Sequence, residues 1–231
     1  MEPGQIAVGL IWYVVLLFSL TVHEAGHAWA AARGGDLTAY LGGQVSLDPR
    51  PHMRRELFGT VLVPLFSFAM SGWMIGWAST PYDPRWAYAH PRRAGWMSLA
   101  GPAANLALVV LAGVGIRLAM LADVVEPGHP SFTALVVGTG SGVAEATGMF
   151  LSLLFMMNLL LLVFNLIPVP PLDGSGALSL LVSEDTARRM KQWMARPAFA
   201  LLGILAAWIA IPVIFWPVCE VMLGLLFPEY L

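Results

Sequence analysis

The chain has 231 residues, of which 58% are hydrophobic and 11% charged, and its net charge is −2. Soluble domains carry about 25% charged residues, so this composition excludes an ordinary soluble enzyme. With no Lys/Arg-rich tract it also argues against a nucleic-acid partner. Apolar runs at 6–32, 58–78, 96–121, 145–167 and 198–227, with a short one at 173–182, are long rather than alternating. They predict an all-α polytopic integral membrane protein with five to six membrane segments. The polar connections fall far below the ~50 residues that a further domain needs. The expectation is therefore one membrane-embedded domain over 1–231, with its core at about 6–183 and C-terminal membrane segment(s) at about 198–227. The start, MEPGQ, lacks the basic region of a cleavable leader, and the first apolar segment is expected to be retained.

Ile6–Val22 has no charged residue over seventeen positions and runs directly into Thr21–Ala30, read TVHEAGHAWA. Histidines four apart on a helix, His23 and His27, share one face at about 5–6 Å. That separation suits two ligands of one tetrahedral zinc, with Glu24 between them placed as a base for water at the metal. Three ionisable side chains at membrane depth mark a functional site by default.

Leu37–Leu47, LTAYLGGQVSL, places a Gly-Gly pair between β-prone runs, the pattern of a type I′ turn. A β-hairpin or an irregular surface loop is expected from this signal near 37–47. The next apolar segment, 58–78, holds Pro64, Gly59, Gly72 and Gly76 and is barely one crossing long. Charge decides how to draw it. If it dips in and returns, the connections 33–56, 79–95 and 183–197 share one side and carry eleven of the twelve basic residues. The positive-inside rule then makes these connections cytoplasmic and leaves the N-terminus outside, in the cell (inner) membrane of a prokaryote.

The segment at 96–121 opens with AGPAAN at 100–105, small residues that allow close helix approach beside an asparagine able to bond across helices. The segment at 145–167 ends in NLIPVPPLDG at 165–174, where three prolines in four positions prevent a regular helix. A broken helix is expected at 165–174. Asp173 follows the break, suited both to cap the next helix and to bind a metal. In the last run, 198–227, Pro212 and Pro217 leave one crossing or two equally open. Cys219, the lone cysteine, reads as packing.

A catalytic zinc needs three protein ligands and one open position. His23 and His27 supply two. His52, His90 and His129 lie in polar connections, and Glu145 and Glu220 at segment edges have no supporting motif. Asp173 is the remaining candidate at membrane depth, and it is assigned as the third ligand of one Zn²⁺ per chain. Glu24 is then the general base and acid.

These residues carry a resemblance. HEAGH at 23–27, AGPAAN at 100–105 and NLIPVPPLDG at 165–174, with Gly35-Asp36 and the 37–47 segment, resemble the site-2 protease family of intramembrane zinc metalloproteases. Pro51-His52-Met53 followed by Gly59-Thr60 is similar to a further family pattern, whose middle is replaced here by Arg54-Arg55-Glu56-Leu57. The resemblance spans about 23–174. It implies His23, His27 and Asp173 as zinc ligands, Glu24 as acid/base, Asn105 and Asn165 as substrate or oxyanion contacts, and transmembrane segments of other membrane proteins as substrates. It also implies that the 37–47 segment is a short re-entrant β-hairpin, and a minimal member without PDZ or CBS modules. Two other functions are weighed against this one. A metal-ion transporter has no need of Glu24 between the histidines, and a non-proteolytic scaffold would normally lose a ligand or the glutamate.

Overall fold

The computed structural model describes residues 3–140 and 142–228. The elements in chain order are α1 (Pro3–Gly34), α2 (Thr38–Leu41), α3 (Pro49–Arg55), a π-helical turn (Phe58–Leu62) leading into α4 (Val63–Ser71), α5 (Pro84–Ala89) and α6 (Pro91–Leu121). Then come strands β1 (Val125–Pro127) and β2 (Val136–Gly138), α7 (Gly142–Asn165), α8 (Asp173–Ala177), a 3-10 turn (Leu178–Leu180), α9 (Glu184–Met194) and α10 (Pro197–Leu226). Among the described residues, four helices are long and apolar enough to cross a membrane: Gly4–Gly34, Pro91–Leu121, Gly142–Asn165 and Pro197–Leu226. The architecture is thus a helical membrane protein with a minor two-stranded sheet. The last segment is one helix despite Pro212 and Pro217. A membrane helix tolerates such prolines where neighbouring groups satisfy the freed carbonyls.

The residues gather into two compact units. The first comprises the chain up to Thr21 with 48–79 and 106–159, and the second 22–47, 80–105 and 160 onward. In the first unit, Trp12 lies 5.4 Å from Trp73 and 6.1 Å from Phe132 between ring centroids. Buried Asn158 donates from Nδ2 to Ser19 Oγ at 2.9 Å, which pairs two polar groups that an apolar medium would leave costly if single. The 58–78 segment doubles back within this unit. Phe58–Ser71 is helical, Gly72 turns the chain at φ 74°, and the Trp77 amide donates to the Gly59 carbonyl at 3.0 Å. Fourteen helical residues reach about 21 Å, short of the ~30 Å hydrocarbon core.

In the second unit Ala31, Trp86, Ala87 and Met97 form a buried cluster, with Ala30 and Ala94 packed on it. Gly26 of α1 faces Ala100 of α6 so closely that a Cβ there would stand 2.8 Å from the Ala100 carbonyl oxygen. This is the close approach that the small-residue run at 100–104 permits.

The expected β-hairpin at 37–47 is not formed. Thr38–Leu41 is a helical turn, and the region contains no strand. A type I′ turn needs positive φ at both glycines, but Gly42 is right-handed at φ −77° while Gly43 alone is left-handed at φ 75°. The amides of Gly43 and Gln44 reach back to the carbonyls of Tyr40 and Ala39, a Schellman stop. The turn is started by Asp36, whose Oδ1 accepts from the Thr38 amide at 2.9 Å and from the Thr38 hydroxyl at 2.6 Å. The sheet lies instead in the connection after α6, where β1 and β2 pair antiparallel with Glu126 opposite Val137.

Candidate metal centre

The HEAGH motif occupies α1 and puts the rings of His23 and His27 one turn apart, with centroids 4.6 Å from one another. Helix α6 packs beside them with Met97, Gly101 and Asn105 at successive spacings of four, and these three residues meet the two histidines. His27 Nδ1–H donates to the Met97 carbonyl at 2.7 Å. The Nδ1 of His23 donates to the Oδ1 of Asn105, a residue with no exposed surface. Between them Gly101 offers no side chain. A Cβ there would lie 2.6 Å from His23 Nε2 and closer still to His27 Nε2.

The third component comes from the broken stretch after α7. Leu172 is extended at ψ 155° and Asp173 opens α8. The Asp173 carboxylate faces the two rings, with Oδ2 at 3.1 Å from His23 Nε2 and 3.3 Å from His27 Nε2. The two Nε2 atoms are 3.0 Å apart. Because each Nδ1 bears the proton it donates, neutral rings present two bare nitrogen lone pairs and a carboxylate oxygen to one point. Asp173 Oδ2 is buried with no hydrogen-bond partner. Three converging acceptors with no proton between them repel unless a cation sits among them. Two imidazoles and a carboxylate, with space where Gly101 lacks a side chain, match the three-ligand, one-open-position pattern of catalytic zinc. The residues fit the metal.

Glu24 is 6% exposed, and its Oε2 accepts from the Thr80 hydroxyl at 2.6 Å. Asn165 closes α7, partly exposed, and its Nδ2 donates to the Leu161 carbonyl one turn back at 3.0 Å. The structure therefore brings His23, His27, Asp173 and Asn105 together and leaves Asn165 bonded within its own helix. His52 is buried at 1% in the first unit. Sequence reasoning missed Gly101, Met97 and Thr80. The four-residue spacing of Met97, Gly101 and Asn105, equal to that of the histidines, is a signal that could have found the first two. Thr80 gives no such signal.

Comparisons with known proteins agree with this site. The model of peptidase family M50 matches residues 11–209. The chain is 33% identical over 180 residues to "Putative zinc metalloprotease YwhC" of Bacillus subtilis, covering 78% of this chain and 72% of that protein. Two proteins bearing the same description under the name Rip2 are 34% identical. The one from Mycolicibacterium smegmatis is covered over 60% of its length and 77% of this chain, and the one from Mycobacterium tuberculosis H37Rv over 64% and 84%. The chain thus spans less than two thirds of the two Rip2 proteins. No solved structure matches it. A family match over most of the chain joins the histidine-aspartate cluster in one conclusion: the chain belongs to peptidase family M50, the zinc metalloproteases, and is an integral membrane member of it.

Proposed function

We propose that the protein hydrolyses peptide bonds inside transmembrane segments of other membrane proteins, using one Zn²⁺ held by His23, His27 and Asp173. The observation that carries this reading is the convergence of two histidines on a helix of membrane-spanning character with Asp173 from the broken stretch after α7, beside a buried glutamate adjacent in sequence to His23. Zinc held there supplies a Lewis acid for the scissile carbonyl and lowers the pKa of water towards neutrality. Glu24 takes the proton of the attacking water on its carboxylate and returns it to the leaving amine. Asn105 and Met97 hold the two rings by their Nδ1 atoms, which fixes the tautomers that leave each Nε2 free. The carbonyl of Asn105 is engaged on His23, which supports an orienting role. Asn165, partly exposed beside the broken stretch, is the better placed of the two to meet substrate. Co-expression with tagged single-span membrane proteins tests the activity. Wild type is expected to yield a truncated product, and Glu24→Gln to reduce it by at least roughly 100-fold, because the amide accepts no proton. Equal product from both would count against the reading.

We further infer one membrane domain in the cell membrane with its N-terminus outside and 33–56, 79–95 and 183–197 in the cytoplasm. The return of Trp77 to Gly59 supports a segment at 58–78 that enters and leaves on one side, which groups the basic connections. Single cysteines at the exposed positions Arg54, Arg92 and Arg189, in a Cys219→Ala background, are expected to be shielded from an impermeant thiol reagent added outside. Labelling at position 92 but not at 54 would mean that 58–78 crosses.

A further inference from the structure

A glutamate side chain has three rotatable bonds, and the helix that carries it fixes only the first atom. Membership of α1 therefore places the Glu24 backbone without aiming its carboxylate. Among the described residues, the group hydrogen-bonded to that carboxylate is Thr80, whose Oγ1 lies 2.6 Å from Glu24 Oε2 and 2.9 Å from the Glu24 main-chain oxygen. A hydroxyl has one proton to donate, and an ionised carboxylate is the stronger acceptor of the two.

Thr80 sits in a stretch, 72–83, without helix or strand, so its own position depends on anchors. The anchor is three residues on. The Asp83 amide donates to Asp36 Oδ2 at 2.7 Å, and Asp36, only 4% exposed, uses its other oxygen on Thr38. From Asp83 the chain enters α5, where Trp86 Nε1 donates to the Gly34 carbonyl at 3.0 Å. The end of the irregular stretch is thereby tied to Asp36, just beyond α1, and the helix that follows it to Gly34, the last residue of α1, the helix that carries Glu24.

We propose that Thr80 is a positioning residue for Glu24 and that Asp36 is the buried anchor of the segment that presents it, an assignment that rests on the proteolytic reading above. With the hydroxyl holding Oε2, the carboxylate keeps one rotamer and its other oxygen stays available for the proton of water. Losing the hydroxyl returns the side chain to several rotamers. Misplacement of a reacting group by about 1 Å is worth roughly 100-fold in rate.

The test uses purified, zinc-loaded protein and a single-span substrate in detergent. Thr80→Val, which keeps the shape and loses the hydroxyl, is expected to lower kcat by roughly 10- to 100-fold, leave KM within about twofold, and retain zinc and thermal midpoint. Thr80→Ser, which keeps the hydroxyl, is expected to restore most of kcat. Asp36→Asn turns an amide NH₂ towards donors that need an acceptor, and is expected to lower kcat in the same direction with zinc retained. The role is overturned by a Thr80→Val kcat within twofold of wild type, by a Thr80→Ser protein as impaired as Thr80→Val, or by zinc and thermal midpoint falling in step with kcat. Wild type and Glu24→Gln in the same assay separate the two claims. A wild type without cleavage takes down the proteolytic reading, whereas cleavage that survives loss of the Thr80 hydroxyl takes down the positioning role alone.

Discussion

Purified Asp173→Ala and His27→Ala proteins are expected to hold less than about a tenth of the zinc of wild type, which should hold one ion per chain. Each variant removes one of three donors, and the two that remain cannot close a catalytic site. Asp173 Oδ2 is buried without a hydrogen-bond partner, and its near neighbours are the Nε2 atoms of the two histidines. Asn105→Ala tests the next layer. It leaves all three donors and removes the acceptor on His23 Nδ1, and loss of such an orienting bond typically weakens metal affinity 10- to 100-fold. The order wild type, then Asn105→Ala, then Asp173→Ala and His27→Ala is therefore the expected ranking in a titration against a competing chelator. Because the metal binds the folded chain, chelation should also lower the thermal midpoint of wild type and leave that of Asp173→Ala where it was. Metal analysis that found full occupancy in either ligand variant would remove the assignment.

The parts of this site that were legible in the sequence are those whose chemistry is improbable in an apolar chain. Two histidines and a glutamate within five residues of α1, and an aspartate after a proline-broken helix end, stand out because charge at membrane depth needs a purpose. Prolines and glycines are more ambiguous. The break at 165–174 was readable because three prolines remove donors whatever the fold does. The Gly42-Gly43 pair misled, since glycine permits positive φ without requiring it, and the buried Asp36 carboxylate started a helical turn that Gly43 then stops. Likewise the arginine positions favoured a doubling back of 58–78 without naming its contact: Trp77 meets Gly59 backbone to backbone, an approach that a Cβ at Gly59 or Gly76 would block, but a glycine does not say which segment it faces. Thr80 belongs with these. It is an ordinary loop threonine until the fold brings it to Glu24.

Gly101→Ala is expected to cost more than a single methyl group normally does. On α6 the residues at 97, 101 and 105 make one row, and the outer two hold His27 and His23 by their Nδ1 atoms. A methyl on the middle one would stand at 2.6 Å or less from both Nε2 nitrogens, nearer than Cβ atoms approach any neighbour. Three escapes exist, and each disturbs the metal site. The rings can rotate, but each is tethered at Nδ1, so rotation gives up a buried hydrogen bond at roughly 1–3 kcal/mol. Helix α6 can back away, but Gly26 and Ala100 are already in close contact and the small-residue packing would open. Otherwise the methyl fills the space into which the three donors point, and zinc is excluded. Alanine is the better helix former by about 1 kcal/mol, so the variant should fold with its helix content intact. The expected result is loss of most of the zinc and of cleavage in a protein with an unchanged far-ultraviolet circular dichroism spectrum. Gly142→Ala serves as the control, since a Cβ at that position meets nothing within 4 Å. A Gly101→Ala protein that kept one zinc per chain and cleaved as wild type does would mean that α6 does not lie against the histidines in the working enzyme.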